Sequence, residues 1–208
     1  MTADLDSRLD DFARAAGLSL SPREREQLVL LDRQLERWSP SVRLVGFRNE
    51  EERFSRYLAE ALVAAERLPL AGRAIDIGSG GGSPALPMAV RRPELRWTLL
   101  EPRRKKAIFL ETAVEAMGLS GVTVVRERME SFRPKRPVEA VTSRGLALKA
   151  GSVERVLGWM APGGRWLLIT GESVAQRLTR RLGRRGLRLS KETLAPASPA
   201  VLLLIETG

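Results

Sequence analysis

The chain has 208 residues, 43% of them hydrophobic and 29% charged, with no cysteine, no histidine and a formal net charge of +10 from 35 basic and 25 acidic side chains. Such a composition describes a globular protein with one substantial core plus an appendage. It excludes disulfides, thiol chemistry, Ser-His-Asp and Cys-His catalysis, and zinc sites built on His or Cys, so no metal is expected. No apolar run approaches the roughly 20 residues that span a bilayer, and the opening Met-Thr-Ala-Asp-Leu-Asp is acidic, so a cytoplasmic protein without a membrane partner is expected. Lys105, Lys106, Lys135, Lys149 and Lys191 are the lysines, and every other basic side chain is arginine. Arginine pairs with phosphates and stacks on bases, which leans towards a nucleic acid partner; a solvated arginine-rich surface is the equal alternative.

Residues 4 to 17 read as an amphipathic helix with Leu5, Leu9, Phe12 and Ala16 on one stripe and Gly17 at its end. A second helix opens at Ser21-Pro22-Arg23-Glu24, a capping box, runs through Leu28, Leu31, Leu35 and Trp38, and stops at Ser39-Pro40. A third begins near Asn49 and buries Phe54, Leu58, Ala61, Leu62 and Ala65. These helices are expected to form an N-terminal cap, residues 1–70, ahead of a second unit, 71–208.

From Ala74 strands and helices alternate, the pattern of a parallel, doubly wound α/β sheet. Strands are expected at 74–77, 96–100, 122–126, 138–142 and 165–169, and helices at 84–91, 103–117, 152–160 and 173–185. Two late strands, 187–194 and 201–205, follow one another without a helix, which predicts an antiparallel hairpin closing the sheet edge.

The first β–α corner is the most informative stretch. Asp76-Ile-Gly78-Ser79-Gly80-Gly81-Gly82-Ser83-Pro84 breaks an apolar strand into glycines, and Ser83 and Pro84 read as the cap and first residue of the next helix. Glycines let backbone approach a ligand closely. A dinucleotide fingerprint would want a third glycine at Ser83. The spacing acid-x-Gly-x-Gly-x-Gly instead resembles the first motif of S-adenosylmethionine-dependent methyltransferases with a Rossmann-like sheet and a reversed last strand. The acid suits the ammonium of that cofactor, and Glu101, at the end of the second strand, is placed to accept from ribose hydroxyls.

Asp76 to Pro87, Leu99-Leu-Glu101 with Lys105-Lys106 and Phe109-Leu110, Arg128-Met-Glu-Ser-Phe132, Thr142-Ser-Arg144-Gly-Leu-Ala147 and Pro162-Gly-Gly164 together resemble the glucose-inhibited division protein B family of small-subunit (16S) ribosomal RNA methyltransferases. The resemblance covers residues 20 to 172. It implies methyl transfer to the N7 of a guanine, which is already a free lone pair and needs no general base. It implies S-adenosylmethionine as cofactor, held by Asp76, Gly78, Ser79, Gly80, Gly82, Ser83, Glu101, Met129, Glu130 and Arg144, with Arg144 also orienting substrate. Ribosomal RNA or the 30S particle is the partner, and a monomer is expected. Lys105, Lys106, Arg177 and Arg181 are candidate RNA contacts, within the basic runs 103–106 and Arg177, Arg180, Arg181, Arg184, Arg185. The family pattern is altered at Ser39, Arg43, Tyr57, where a helix motif carries histidine, and Thr170, where a lysine is expected. Those changes motivate the alternatives of an RNA- or ribosome-binding protein without turnover, or a methyltransferase with another substrate.

Overall fold

The computed structural model describes residues 2–44, 46–47, 49–146, 151–183, 186–194 and 198–208. Val45, Ala147, Arg184 and Arg185 lie outside the described residues.

The alternation seen in the sequence builds a seven-stranded sheet in the order β3-β2-β1-β4-β5-β7-β6. Its strands are β1 (Gly72–Ile77), β2 (Leu95–Leu100), β3 (Val122–Val125), β4 (Val138–Arg144), β5 (Met160–Gly171), β6 (Arg188–Thr193) and β7 (Ala200–Glu206). β1 to β5 pair in parallel, and β7 runs antiparallel to both β5 and β6. The late hairpin therefore does more than border the sheet: β7 sits inside it and β6 forms the edge. Composition explains the choice. Leu202, Leu203, Leu204 and Ile205 are buried from both faces, whereas Arg-Leu-Ser-Lys-Glu-Thr is a polar strand suited to an edge.

Three helical stretches precede the sheet. α1 (Thr2–Ala15) buries Leu9 and Ala13, while Ala16 of the expected stripe is exposed beyond its end. α2 (Pro22–Trp38) starts with the capping box: the Ser21 hydroxyl accepts from the Glu24 N–H at 3.3 Å and the Glu24 carboxylate accepts from the Ser21 N–H at 2.7 Å. The third is continuous but not uniform. α3 (Glu50–Arg53), capped by Asn49, passes into a π-helical turn, Phe54–Ala59, and then α4 (Glu60–Ala65). The wider turn buries Tyr57, Leu58 and Ala59 in succession, something a regular α-helix with one apolar stripe does not do.

α5 (Ala85–Arg91) and α6 (Arg104–Ala116) join these helices on one face of the sheet, and α7 (Ser152–Leu157) and α8 (Glu172–Leu182) cover the other. The first core runs without interruption from Leu9, Leu28 and Leu62 to Leu86, Phe109 and Leu99. Trp38 meets Phe109 edge to face at 6.0 Å, and the buried Gln27 amide donates to the Met117 carbonyl at 2.8 Å. The second core gathers Val141, Trp166 and Leu203 under Val156 and Leu178. α7 is shorter than expected because β5 begins at Met160, bulges through Pro162-Gly163-Gly164 and resumes pairing with β4 at Arg165 in a shifted register. Between β3 and β4 no helix intervenes. Among the described residues, no helix is long and apolar enough to cross a membrane.

Candidate functional site

The site lies at the C-terminal ends of β1 and β4, where the parallel register sets Asp76 opposite Thr142 and Ile77 opposite Ser143. Strand alternation turns Ala74, Asp76, Ala140, Thr142 and Arg144 towards the α1–α6 face. After Ile77 the chain turns through glycines. The Gly78 and Ser79 N–H groups donate to the Leu100 carbonyl at 2.9 and 3.1 Å, and the Gly80 N–H donates to the Glu101 carboxylate at 2.9 Å. The other Glu101 oxygen accepts from the Arg103 N–H at 2.8 Å. Glu101 is thus buried and pins the loop, with each oxygen keeping a further lone pair.

The π-helical turn grips the loop from above. The Tyr57 hydroxyl donates to the Gly81 carbonyl, and the Ser83 hydroxyl donates back to the Tyr57 carbonyl at 2.9 Å. Ser83 therefore does not cap α5. The Ser83–Pro84 peptide is cis, Pro84 holds the cap position, and the helix begins at Ala85.

Two glycines of the corner do different work. At Gly78, with φ +72°, a Cβ would meet nothing within 4 Å; it would project into open space. At Gly82, with φ +95°, a Cβ would lie 2.6 Å from Leu86 Cδ1 and 3.0 Å from the Tyr57 hydroxyl. Gly82 serves close packing of helix, loop and tyrosine. It is not among the residues lining the cleft.

That cleft, about 270 Å³, is lined by Gly78, Ser79, Gly80, Gly81 and Ser83 of the loop, by Leu44, Gly46, Phe47 and Tyr57 of the N-terminal segment, and by Lys106 and Arg144. Phe47 stacks edge-on to Tyr57 at 6.3 Å. Beneath the loop Asp76 is fully buried. One oxygen accepts from the Thr142 hydroxyl at 2.6 Å; the other, Oδ2, has no partner among the described residues. Burial pushes the Asp76 carboxyl up to about 6, and the hydrogen bond from Thr142 and the charge of Arg144 offset only part of that. Arg144 donates from Nη1 to the buried Glu60 carboxylate at 2.6 Å, which also accepts from the Ser198 hydroxyl. Its Nε and Nη2 are buried without partners among the described residues. Burial draws both the Arg144 guanidinium and the Lys106 ammonium below their usual ranges.

Among the described residues, an unmet buried acceptor thus lies under a bare main-chain loop whose cleft is lined by a guanidinium with two unmet nitrogens. Leaving such groups unmet is costly, and a ligand with an ammonium and a carboxylate would meet them.

Comparison with known proteins agrees. The family model GidB, rRNA small subunit methyltransferase G, matches residues 24–186. The chain belongs to this family. It is 37% identical over 164 residues to the ribosomal RNA small subunit methyltransferase G of Cellvibrio japonicus, covering 76% of this chain and 74% of that one. It is 36% identical to the namesake from Laribacter hongkongensis, covering 77% and 79%. Among solved structures, an S-adenosylmethionine-dependent O-methyltransferase from Thermotoga maritima superposes with a TM-score of 0.61 at 15% identity, over 86% of this chain and 71% of that one, which establishes a methyltransferase fold.

Within this GidB chain the sequence-based site assembles unevenly. Gly78, Ser79, Gly80, Ser83 and Arg144 line the cleft, and Asp76 and Glu101 lie directly under its loop. Met129 and Glu130 do not line it: Met129 is buried in the second core and Glu130 is exposed in the β3–β4 crossover. Of the expected RNA contacts, Lys106 reaches the cleft and Lys105 is exposed beside it on α6. Arg177 and Arg181 are exposed on α8, on the opposite face of the sheet, where Arg181 pairs with Glu154 at 2.9 Å. Of the altered family positions only Tyr57 lines the cleft. Thr170 is buried in register with Val201, Ser39 ends α2 by donating to the Leu35 carbonyl at 2.6 Å, and Arg43 is exposed.

Sequence reasoning gave no role to Glu60. It reads as one more acid on an exposed helix turn, and only the fold brings it to Arg144.

Proposed function

We propose that this GidB-family chain is an S-adenosylmethionine-dependent methyltransferase acting on small-subunit ribosomal RNA at the N7 of a guanine. The single observation that carries the reading is that, among the described residues, an Asp76 oxygen under the glycine loop and two Arg144 nitrogens at the cleft are buried without hydrogen-bond partners. When bound, S-adenosylmethionine supplies a sulfonium methyl open to attack by a lone pair. Asp76 would hold the ammonium of its amino acid end and Arg144 the carboxylate. Glu101, already fixed by the Gly80 and Arg103 N–H groups, would accept from ribose hydroxyls.

Guanine N7 carries its lone pair at neutral pH, so the chain has no proton to remove. This suits a sequence without histidine or cysteine. What the residues must do is position and exclude water. Tyr57 and Phe47 form an aromatic wall beside the loop, and Glu60 holds Arg144 in one orientation while Ser198 fixes Glu60. The helices before residue 71 would act as a cap over the sheet unit, and Lys105 and Lys106 at the rim would meet RNA phosphates. The protein is read as a monomer working on the 30S particle or its RNA in the cytoplasm.

The test is transfer of labelled methyl from S-adenosylmethionine to purified small subunits and to deproteinised small-subunit RNA, followed by mapping of the modified base. Label at a guanine N7 is expected. A protein that binds both cofactor and RNA yet transfers nothing would replace this reading with an RNA-binding protein without turnover, and transfer confined to small molecules would replace the substrate.

A further inference from the structure

Each of the other parallel crossovers in this sheet carries a helix: α5 between β1 and β2, α6 between β2 and β3, α7 between β4 and β5. The crossover from β3 to β4, residues 126–137, carries none. Since α7 and α8 pack on β4, β5 and β7, the α7–α8 face of β2 and β3 has no helix above it. A groove of about 910 Å³ opens there.

Its floor mixes apolar side chains, Ile75, Val125, Phe132 and Val138, with threonine hydroxyls. Thr98 on β2 is half-buried, and Thr123 on β3, its register partner, is exposed. Short hydroxyl side chains fit a polar occupant better than an apolar helix. The rim is basic. Arg73, Arg96, Arg133, Lys135 and Arg136 line the groove against a single lining acid, Glu127. Arg73 is spoken for by Glu139 at 3.0 Å, and Arg133 donates to the carbonyls of Glu130 and Phe132. Arg96, Lys135 and Arg136 are exposed and have no ion pair among the described residues. Pro134 and Pro137 flank the last two, so their backbone is restricted and the two cations are held out with less entropy left to lose on binding. Three unneutralised cations around a trough floored in part by threonine hydroxyls complement a row of phosphates.

Arg96 stands near the start of β2 and Glu101 just beyond its end, roughly 16 Å apart at about 3.3 Å per residue. The groove is thus separate from the cofactor cleft. We propose that it holds the phosphodiester backbone of the RNA substrate away from the target base, an inference that rests on the ribosomal RNA reading above.

The experiment reverses three charges together, Arg96→Glu, Lys135→Glu and Arg136→Glu. Affinity for deproteinised small-subunit RNA is measured by fluorescence anisotropy across a salt series, with S-adenosylmethionine affinity and thermal melting recorded in parallel. RNA binding is expected to weaken about tenfold or more, and the slope of log K against log salt to fall by about 2 to 3, with cofactor binding unchanged. Should the triple variant fail to melt cooperatively, Arg96→Ala, Lys135→Ala and Arg136→Ala together decide the matter, with a smaller loss in the same direction. An unchanged RNA affinity and salt slope overturns the proposal. So does an unchanged RNA affinity with a raised KM for intact subunits, which assigns the groove to a ribosomal protein. Wild-type protein that neither binds nor methylates RNA defeats the substrate reading itself, an outcome distinct from failure of the groove.

Discussion

Replacing Asp76 by Asn tests the chemistry of the cleft through stability as well as binding. In the folded protein burial holds the Asp76 carboxyl at about 6, whereas an exposed aspartate titrates near 3.9. Between those values the folded state keeps a proton that the unfolded chain has released, so this group lowers stability as pH rises through that window. The full shift corresponds to about 3 kcal/mol, of which about 2 kcal/mol falls between roughly pH 4.5 and pH 7.5. Asn cannot ionise; its carbonyl can still accept from Thr142, while its amide meets the same absence of a partner as Oδ2. Urea unfolding of both proteins at the two pH values cancels every other titrating group. The stability difference is expected to move by about 2 kcal/mol in favour of the Asn variant at the higher pH. In the same samples calorimetry should find S-adenosylmethionine binding weakened by about tenfold or more, since an ammonium loses its charged partner. Wild-type affinity should rise with pH up to about 6 and level off, because the cation selects ionised Asp76, and the variant should show no such rise. A pH-independent stability difference, or full cofactor affinity in the variant, refutes the assignment of Asp76.

Other substitutions separate packing from binding. Gly78→Arg should abolish cofactor binding with a stability loss of only about 1 to 2 kcal/mol from backbone strain, measured by calorimetry and urea melts, because the side chain enters open space. Gly82→Ala should instead cost stability first, by about 2 to 4 kcal/mol, since its Cβ collides with Leu86 and the Tyr57 hydroxyl. Glu60→Ala leaves the buried Arg144 cation uncompensated and should destabilise by about 3 kcal/mol or more in the same melts, whereas Glu60→Gln keeps an acceptor and should chiefly raise the KM for cofactor. Tyr57→Phe removes the hydroxyl that holds the Gly81 carbonyl; a loss of about 1 kcal/mol and weaker cofactor binding are expected.

What could be read from the sequence was local. The capping box at Ser21 and Glu24, the strand–glycine–helix corner at Asp76 and the acid ending β2 at Glu101 each declare themselves within a few residues, and each stands where expected. The π-helical turn at Phe54–Ala59 did not, because one widened turn leaves the apolar periodicity of its helix nearly intact. Nor did the division of labour among the glycines: Gly78 and Gly82 have the same side chain and similar φ, and only the neighbours show that one faces space and the other Leu86. The Glu60–Arg144 pair joins residues 84 positions apart, beyond any spacing rule. Met129 was placed at the cofactor by position in a motif, but its side chain packs into the second core.

The insertion of β7 between β5 and β6 has a bearing on how this chain is made. As residues leave the ribosome in order, β5 is available well before β7 and β6 only a few residues before it, yet β5 and β6 cannot close on one another without excluding β7. Until residues 200–206 emerge, β5 shows an unpaired edge rich in Trp166, Leu167, Leu168 and Ile169. Closure of the sheet therefore waits on β7, and a nascent chain stalled before Ala200 presents a hydrophobic slot open to a chaperone or to the wrong strand.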